Sequence, residues 1–311
     1  MSLLTPVHAP PRSAGALFVV AGAVLWGTIG TAQALSPYAG SPVGLATARS
    51  GLAGLILLRI AVLAHGRHLP RLLNRRGARR YLLLGAVAMA TYQASFLTAN
   101  QLSGVSAGTL VAMGSAPMFA GVLGVLTGNR MTTGWLLSTT VAVAGLTVLL
   151  TPGLMSTAGA VTALTAGASF AVYTWTSRRA LDAGVPPIAL LAALFVGAAL
   201  LLTPFGGAGA LRWSLEPGGA LVVVYLAVIA TVVPYLMWIR GVAATAPSTV
   251  TTLALAEPLT AAVLATARLG EPVTGRLVAG ALLLGAGLVL TVVSPRRLLR
   301  CRPRRRCPRQ P

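Results

Sequence analysis

Glu257 is the residue of this sequence best placed to do chemistry. It stands near the middle of an apolar stretch, Ala246 to Glu271 (APSTVTTLALAEPLTAAVLATARLGE), immediately before Pro258. An ionised group at bilayer depth costs several kcal/mol unless it is paired or wetted, so an acid kept there points to proton coupling, binding of a cationic group, or gating. Pro258 adds to the argument. It lacks an N–H and its ring clashes with the carbonyl four residues back, on Ala254, leaving polar backbone that must face protein or a water-filled cavity. The plainer alternative is that Glu257 is buried against an arginine or threonine and ties two helices together.

Arg49, in the apolar run LATARSGLAGL, is the candidate partner. Such a pair lowers the cost of both charges while seldom adding net stability, and outward snorkelling of Arg49 is its structural alternative. Arg59, ten residues on, reads as an interfacial anchor. Thr249 and Thr260 fall more nearly on the face of Glu257 than Thr252 does, at 3.6 residues per turn. Other polar or aromatic residues recur at depth: Trp26 and Thr28, Tyr92 and Gln93, Ser115, Ser169 with Tyr173 and Thr174, and Tyr235 with Trp238. Singly each suits helix packing; together they outline a mostly apolar pocket with a few polar groups. Trp238, beside Arg240, reads instead as an interfacial belt residue. Pro117 and Pro258 are candidate hinges at equivalent places in two halves of the chain, and Pro234 adds a third kink.

Other chemistries find little support. The histidines, His8, His65 and His68, lie outside the apolar runs, and four scattered acids (Asp182, Glu216, Glu257, Glu271) make no metal cluster or paired-acid centre. There is no GxxxxGK[ST] loop and no lysine, so ATP-driven work needs another subunit. Cys301 and Cys307 sit in a basic tail at a spacing that fits neither a metal pair nor a redox motif. No cofactor, metal or enzymatic activity is therefore expected. All 24 basic residues are arginines, giving a net charge of +20. Most of them lie between apolar runs and in the tail, without the aromatic-interleaved basic fold of a nucleic-acid binder, so nucleic acid is not expected as a partner.

The elements that must position these residues follow from composition. With 56% hydrophobic and 9% charged residues and a mean hydropathy of +0.81, the chain belongs to the membrane class. Segments long enough to cross about 30 Å of hydrocarbon fall near 14–34, 43–64, 81–99, 105–126, 132–151, 157–177, 187–205, 219–239, 247–267 and 274–293. Backbone polar groups in lipid need internal partners, so these are expected as ten transmembrane helices of an all-α integral membrane protein. Ala32-Gln33-Ala34 mimics a signal-peptidase site, but the preceding run is too long for an ordinary signal core. Small-residue pairs, Gly51 with Gly54, Gly121 with Gly124, and Ala281 with Gly285, are expected at helix contacts.

Arginines in the 67–80 loop, at Arg178 and Arg179, and in the tail all fall on one side when ten spans are threaded in order, which puts both termini in the cytoplasm. A shift of 141 residues lays Val105–Leu150 on Ala246–Thr291 with nine identities, Pro117 on Pro258 among them and Ala116 on Glu257. Five spans per half invert the second copy relative to the first. The expected organisation is a cytoplasmic leader at 1–13, repeats at 14–151 and 157–293, and a basic cytoplasmic tail at 295–311, in the inner (plasma) membrane. Anionic lipid is expected near that tail.

On these residues the chain resembles the EamA family of the drug/metabolite transporter superfamily. The likeness is carried by AVLWGTIG at Ala23–Gly30, TARSGLAGLILL around Arg49, SAPMFAGVLG at Ser115–Gly124, GASFAVYTWTSRR at Gly167–Arg179, and most specifically by LALAEPLTAAVLATARLGEPVTGRLVAGALLLGAGLVL at Leu253–Leu290. It implies two inverted five-helix repeats around a central cavity and movement of small metabolites or drugs by alternating access. It names no substrate, since such families handle amino acids, purines, drugs and sugars. Arg130 stands where the second half has Glu271, which is expected at the rim, in a salt bridge with its arginine neighbours or as a gate contact. The expected function is a secondary transporter, as an exporter, for a small-molecule substrate, with Glu257 coupling it to protons; monomer or homodimer is left open. The rival readings are a membrane-embedded enzyme or lipid-handling protein, and a membrane anchor that binds partners through its arginine tail.

Overall fold

The computed structural model describes residues 12–37, 40–75, 77–128, 133–150, 155–244, 253–254 and 256–293. The leader up to residue 11, Thr249, Thr252, Arg130 and the arginine tail with Cys301 and Cys307 lie outside the described residues.

The described chain is helical, and helix lies within each of the ten expected intervals. In order these are α1 (Arg12–Gly27), α2 (Ile29–Ala34), α3 (Pro42–His65), the short α4 (Leu69–Leu73), α5 (Ala78–Ser103), α6 (Val105–Leu126), α7 (Thr133–Leu149), α8 (Thr157–Asp182), α9 (Pro187–Trp213), α10 (Pro217–Val224), a π-helical stretch Tyr225–Val232, α11 (Val233–Ala244), α12 (Ala256–Leu269) and α13 (Gly275–Val293). Among the described residues, six stretches are long and apolar enough to cross a membrane: Ala14–Ala34, Pro42–Leu73, Ala78–Ser103, Val105–Leu126, Pro187–Gly206 and Pro217–Gly241. The Thr- and Ser-rich α8 and the 14-residue α12 are not among them.

Local chemistry sets several boundaries. Ser41 caps α3, its Oγ accepting from Gly44 N at 3.2 Å, with Pro42 at the first helical position, where its missing N–H costs nothing. Ser156 caps α8 in the same way, from Gly159 N at 3.0 Å. The π-helical stretch directly precedes Pro234: the Val233 N–H reaches Val228 O, five residues back, so the register has already widened where proline withdraws a donor. The expected kink there is thus a π-helical segment. The other two prolines differ in setting. Pro117 lies inside an α6 that continues to Leu126, whereas Pro258 lies in the first turn of α12.

The extensive helix contacts run between the two halves of the sequence: α3 on α9, α5 on α8, α7 on α13, α6 on α8, and α1 on α11 and α12. Close approach depends on small residues at the crossings. A Cβ on Gly54 would stand 2.9 Å from Val196 N, so α3 and α9 meet backbone to backbone there. Gly285, an expected contact, faces open space; Gly145, Gly280 and Gly287 make the α7–α13 crossing instead, because helix azimuth, not sequence spacing alone, chooses the buried small residue. The arginine loops meet at one end of the bundle. Tyr81 at the start of α5 and Trp175 near the end of α8 pack edge to face at 5.6 Å, with Arg80 over the tyrosine ring and Arg179 over the indole.

Candidate functional site

The site is built at the crossing of α1 and α12. Gly27 ends α1, and a Cβ added there would stand 2.6 Å from both the Glu257 carbonyl oxygen and Thr260 Cβ. Only a residue without a side chain lets α12 come this close, and the approach sets Glu257 beside Trp26. At the same point Thr28 breaks the helix from α2: its hydroxyl donates to Leu25 O at 2.7 Å and accepts from Tyr225 OH at 2.8 Å.

Seven residues from seven elements converge on a central cavity: Trp26 of α1, Ile29 of α2, Arg49 of α3, Tyr92 of α5, Phe170 of α8, Tyr235 of α11 and Glu257 of α12. Its free volume is about 10 Å³, room for roughly one water. The walls are aromatic. Trp26 meets Tyr235 and Trp238, each at 5.1 Å between centroids, and Phe170 bridges Tyr92 at 5.2 Å and Tyr173 at 5.5 Å. Trp238 therefore packs half-buried on Trp26, because α1 and α11 run side by side.

Two charges of opposite sign face this cavity. Arg49 is 3% exposed and Glu257 9%. The candidate pair makes no direct ion pair. Arg49 Nε donates instead to Thr231 Oγ1 at 2.8 Å, and its Nη1 has no hydrogen-bond partner. Each charge thus retains capacity for a third party: the guanidinium for an acceptor, the carboxyl for a cation, a donor or a proton, and the rings for apolar or π-face contact.

Other sequence candidates lie away from the cavity lining. Gln93, next to Tyr92 on α5, is buried with its Oε1 unpartnered, pointing elsewhere because one residue turns the helix by about 100°. Ser115 is buried at the α6–α8 crossing, against Gly167, and donates to Ala112 O. Thr260 donates to Ala256 O at 2.7 Å and packs on Gly27. Tyr173 is not itself in the lining, but it packs on Phe170 and shares a side-chain hydrogen bond with Tyr235, both of which are.

Glu271 does something its arginine neighbours did not suggest. Its two carboxylate oxygens accept from Val105 N at 2.6 Å and Ser106 N at 3.0 Å, the first backbone donors of α6. A carboxylate at a helix N-terminus satisfies orphan donors and the dipole together. Gly104, at φ +81, leaves room for it: a Cβ there would lie 2.9 Å from Glu271 Oε1. Beside this contact, at the end opposite the arginine loops, opens a larger cavity of about 390 Å³, lined by Gln33, Ser36, Asn100, Gln101, Leu269 and Glu271, among others.

The sequence profile of the EamA-like transporter family matches residues 13–151 and again 157–293. The chain belongs to that family. It is 35% identical to the uncharacterized transporter YwfM of Bacillus subtilis over 285 residues, covering 90% of this chain and 94% of YwfM. It is 27% identical to the uncharacterized inner membrane transporter YicL of Salmonella typhimurium, over 92% of this chain and 97% of that one. A crystal structure of another protein superposes with a TM-score of 0.62 at 21% identity, over 93% of this chain and 99% of its own, a likeness that speaks for the fold.

For an EamA-like chain, three cavity features had weaker sequence signals. Phe170 lies one helical turn before Tyr173 in the GASFAVYTWTSRR motif, and that spacing was the available clue. Thr231 is the single threonine or serine in the apolar run LAVIATVVPYL, which marks it as a candidate partner for a buried charge. Gln33, Asn100 and Gln101 sit at the helix ends flanking uncharged loops, where polar residues carry no signal until the fold gathers them.

Proposed function

We propose that this EamA-like transporter is a secondary carrier that moves a small organic solute through the central cavity by alternating access, working as an exporter. One observation carries the reading: Arg49 and Glu257, a buried base and a buried acid, line one aromatic-walled cavity without a direct ion pair between them. Buried ionisable groups within a membrane bundle cost free energy, and their retention fits solute or proton handling. Glu257 couples the cycle to a proton or a cationic group, Arg49 holds an acceptor group of the solute, and Trp26, Tyr92 and Tyr235 shape the pocket. With free space for about one water, the cavity fits an occluded stage of such a cycle.

The architecture that supports this is ten spans in two inverted five-helix repeats, at 14–151 and 157–293. The pattern of contacts agrees with a two-fold exchange of halves: α3–α9 and α7–α13 each map onto themselves, while α5–α8 maps onto α1–α11, and α6–α8 onto α1–α12. Pro117 and Pro258 sit in the two helices that correspond under that exchange. The clustered Arg80, Tyr81, Trp175 and Arg179 suit a cytoplasmic interface, with both termini on that side and the chain in the inner membrane, where its relative YicL is named.

The test is a substrate screen in proteoliposomes under an imposed pH gradient, followed by Glu257→Gln. Loss of transport, or transport that no longer responds to the gradient, is expected in a variant that still purifies as a folded protein. Full activity that still follows the gradient overturns the coupling role, and modification of a lipid without solute flux overturns the carrier.

A further inference from the structure

We propose that the cavity of about 390 Å³ at the end opposite the arginine loops is a second solute subsite, one that takes an uncharged carboxamide- or hydroxyl-bearing group through Gln33 and Asn100. Its size is that of a small-molecule pocket. Asn100 is 4% exposed; its Oδ1 accepts from Thr109 Oγ1 at 3.4 Å, while its Nδ2 has no partner. Gln33 donates its Nε2 to Leu97 O at 2.8 Å, and its Oε1 is buried without a partner. Two residues that line one cavity thus carry one unpartnered donor and one unpartnered acceptor, both just beneath its surface and within a side-chain turn of it, the complement of a group that both accepts and donates, such as a primary amide or an alcohol. A buried polar atom without a partner is costly, and a ligand that completes both atoms recovers that cost.

Electrostatics decides for a neutral group. Among the described residues, Glu271 is the one acid lining this cavity, with both of its oxygens engaged by Val105 N and Ser106 N, and no arginine lines it. A charged group would lose hydration here without meeting a free opposite charge. The two cavities are adjacent: Ile29 lines the central one and Gly30, the next residue, lines this one. On the carrier reading, the subsite is where solute waits before entering or after leaving the central cavity.

The test measures occupancy and needs no transport. In the full chain in lipid nanodiscs, with Cys301→Ser and Cys307→Ser, the exposed lining residue Ala34 is replaced (Ala34→Cys) and its alkylation by N-ethylmaleimide is timed. The probes are nicotinamide, a neutral carboxamide, and nicotinate, its anionic counterpart. Nicotinamide near twice its dissociation constant should slow alkylation about threefold, with nicotinate ineffective at the same concentration. Gln33→Met and Asn100→Leu should each abolish the slowing relative to the same variant without probe. Gln33 is only half-buried, so that variant carries the test even if Asn100→Leu fails to fold. No slowing, equal slowing by both probes, or slowing that survives Gln33→Met overturns the proposal. Slowing by nicotinamide alongside a Glu257→Gln protein that transports normally leaves the subsite standing and removes the coupling role, so the two failures are separable.

Discussion

Arg49 and Thr231 join the two halves of the molecule by one buried hydrogen bond, Nε to Oγ1 at 2.8 Å. The threonine is itself fixed, because its hydroxyl donates to Leu226 O, five residues back, within the π-helical stretch. With that proton committed, the oxygen lone pairs face the guanidinium. Pro234, by withdrawing a donor just beyond, favours the wider register that makes this possible. A residue that looks like packing thus orients the buried cation at the cavity.

Removing the acceptor should therefore cost both stability and function. Thr231→Val leaves Arg49 Nε unpartnered in the interior and should lower unfolding free energy by about 1–3 kcal/mol, with Thr231→Ser close to the native chain. Thermal unfolding of the detergent-solubilised variants measures the difference.

Arg49→Lys should not rescue. A lysine keeps the charge but lacks the planar fork, so it cannot donate to Thr231 and present a second nitrogen to the cavity at once. Initial transport rates in proteoliposomes, with the solute found by the screen, should fall about tenfold or more, corresponding to a loss of at least roughly 1.4 kcal/mol.

Gly27 offers a test of the crossing that places Glu257. Gly27→Ala puts a Cβ 2.6 Å from the Glu257 carbonyl oxygen and from Thr260 Cβ, so α12 must shift. Overpacking of this kind costs about 1–3 kcal/mol. The expected result is a lowered melting temperature together with reduced transport. Pairing it with Thr260→Gly, which removes one of the two overlaps, should recover part of the loss relative to Thr260→Gly alone, and a double-mutant cycle measures that coupling.

Glu271→Ala should loosen α6 from α12. It removes two charge-assisted hydrogen bonds at a helix N-terminus, together worth about 1.5–3 kcal/mol in a half-buried setting. Hydrogen exchange at the amides of Val105 and Ser106 should speed up in the variant, while amides at the centre of α3 keep their protection. Unchanged exchange at those two amides would refute the cap.

The sequence by itself determined the class of the protein and its charged centre. Long apolar runs in lipid can only be satisfied as helices, and an acid or an arginine inside such a run is costly unless sheltered, so the all-helical membrane fold and the burial of Glu257 and Arg49 within it were legible. The run around Glu257-Pro258 also carried the family likeness that the profile of the EamA-like transporters bears out. Which polar residues line the cavity was decided only by tertiary structure. Tyr92 lines it and Gln93 does not; Ser115 and Thr260 are used at crossings; Arg49 turns to Thr231, 182 residues away, instead of to Glu257. The physical reason is helix azimuth. A turn of about 100° per residue separates neighbours in sequence, and the azimuth is set by which small residues permit close approach, a property of two helices at once. Glu271 follows the same logic: its arginine neighbours are local, but the backbone donors that engage it come from α6, 166 residues away, and only folding brings them within reach.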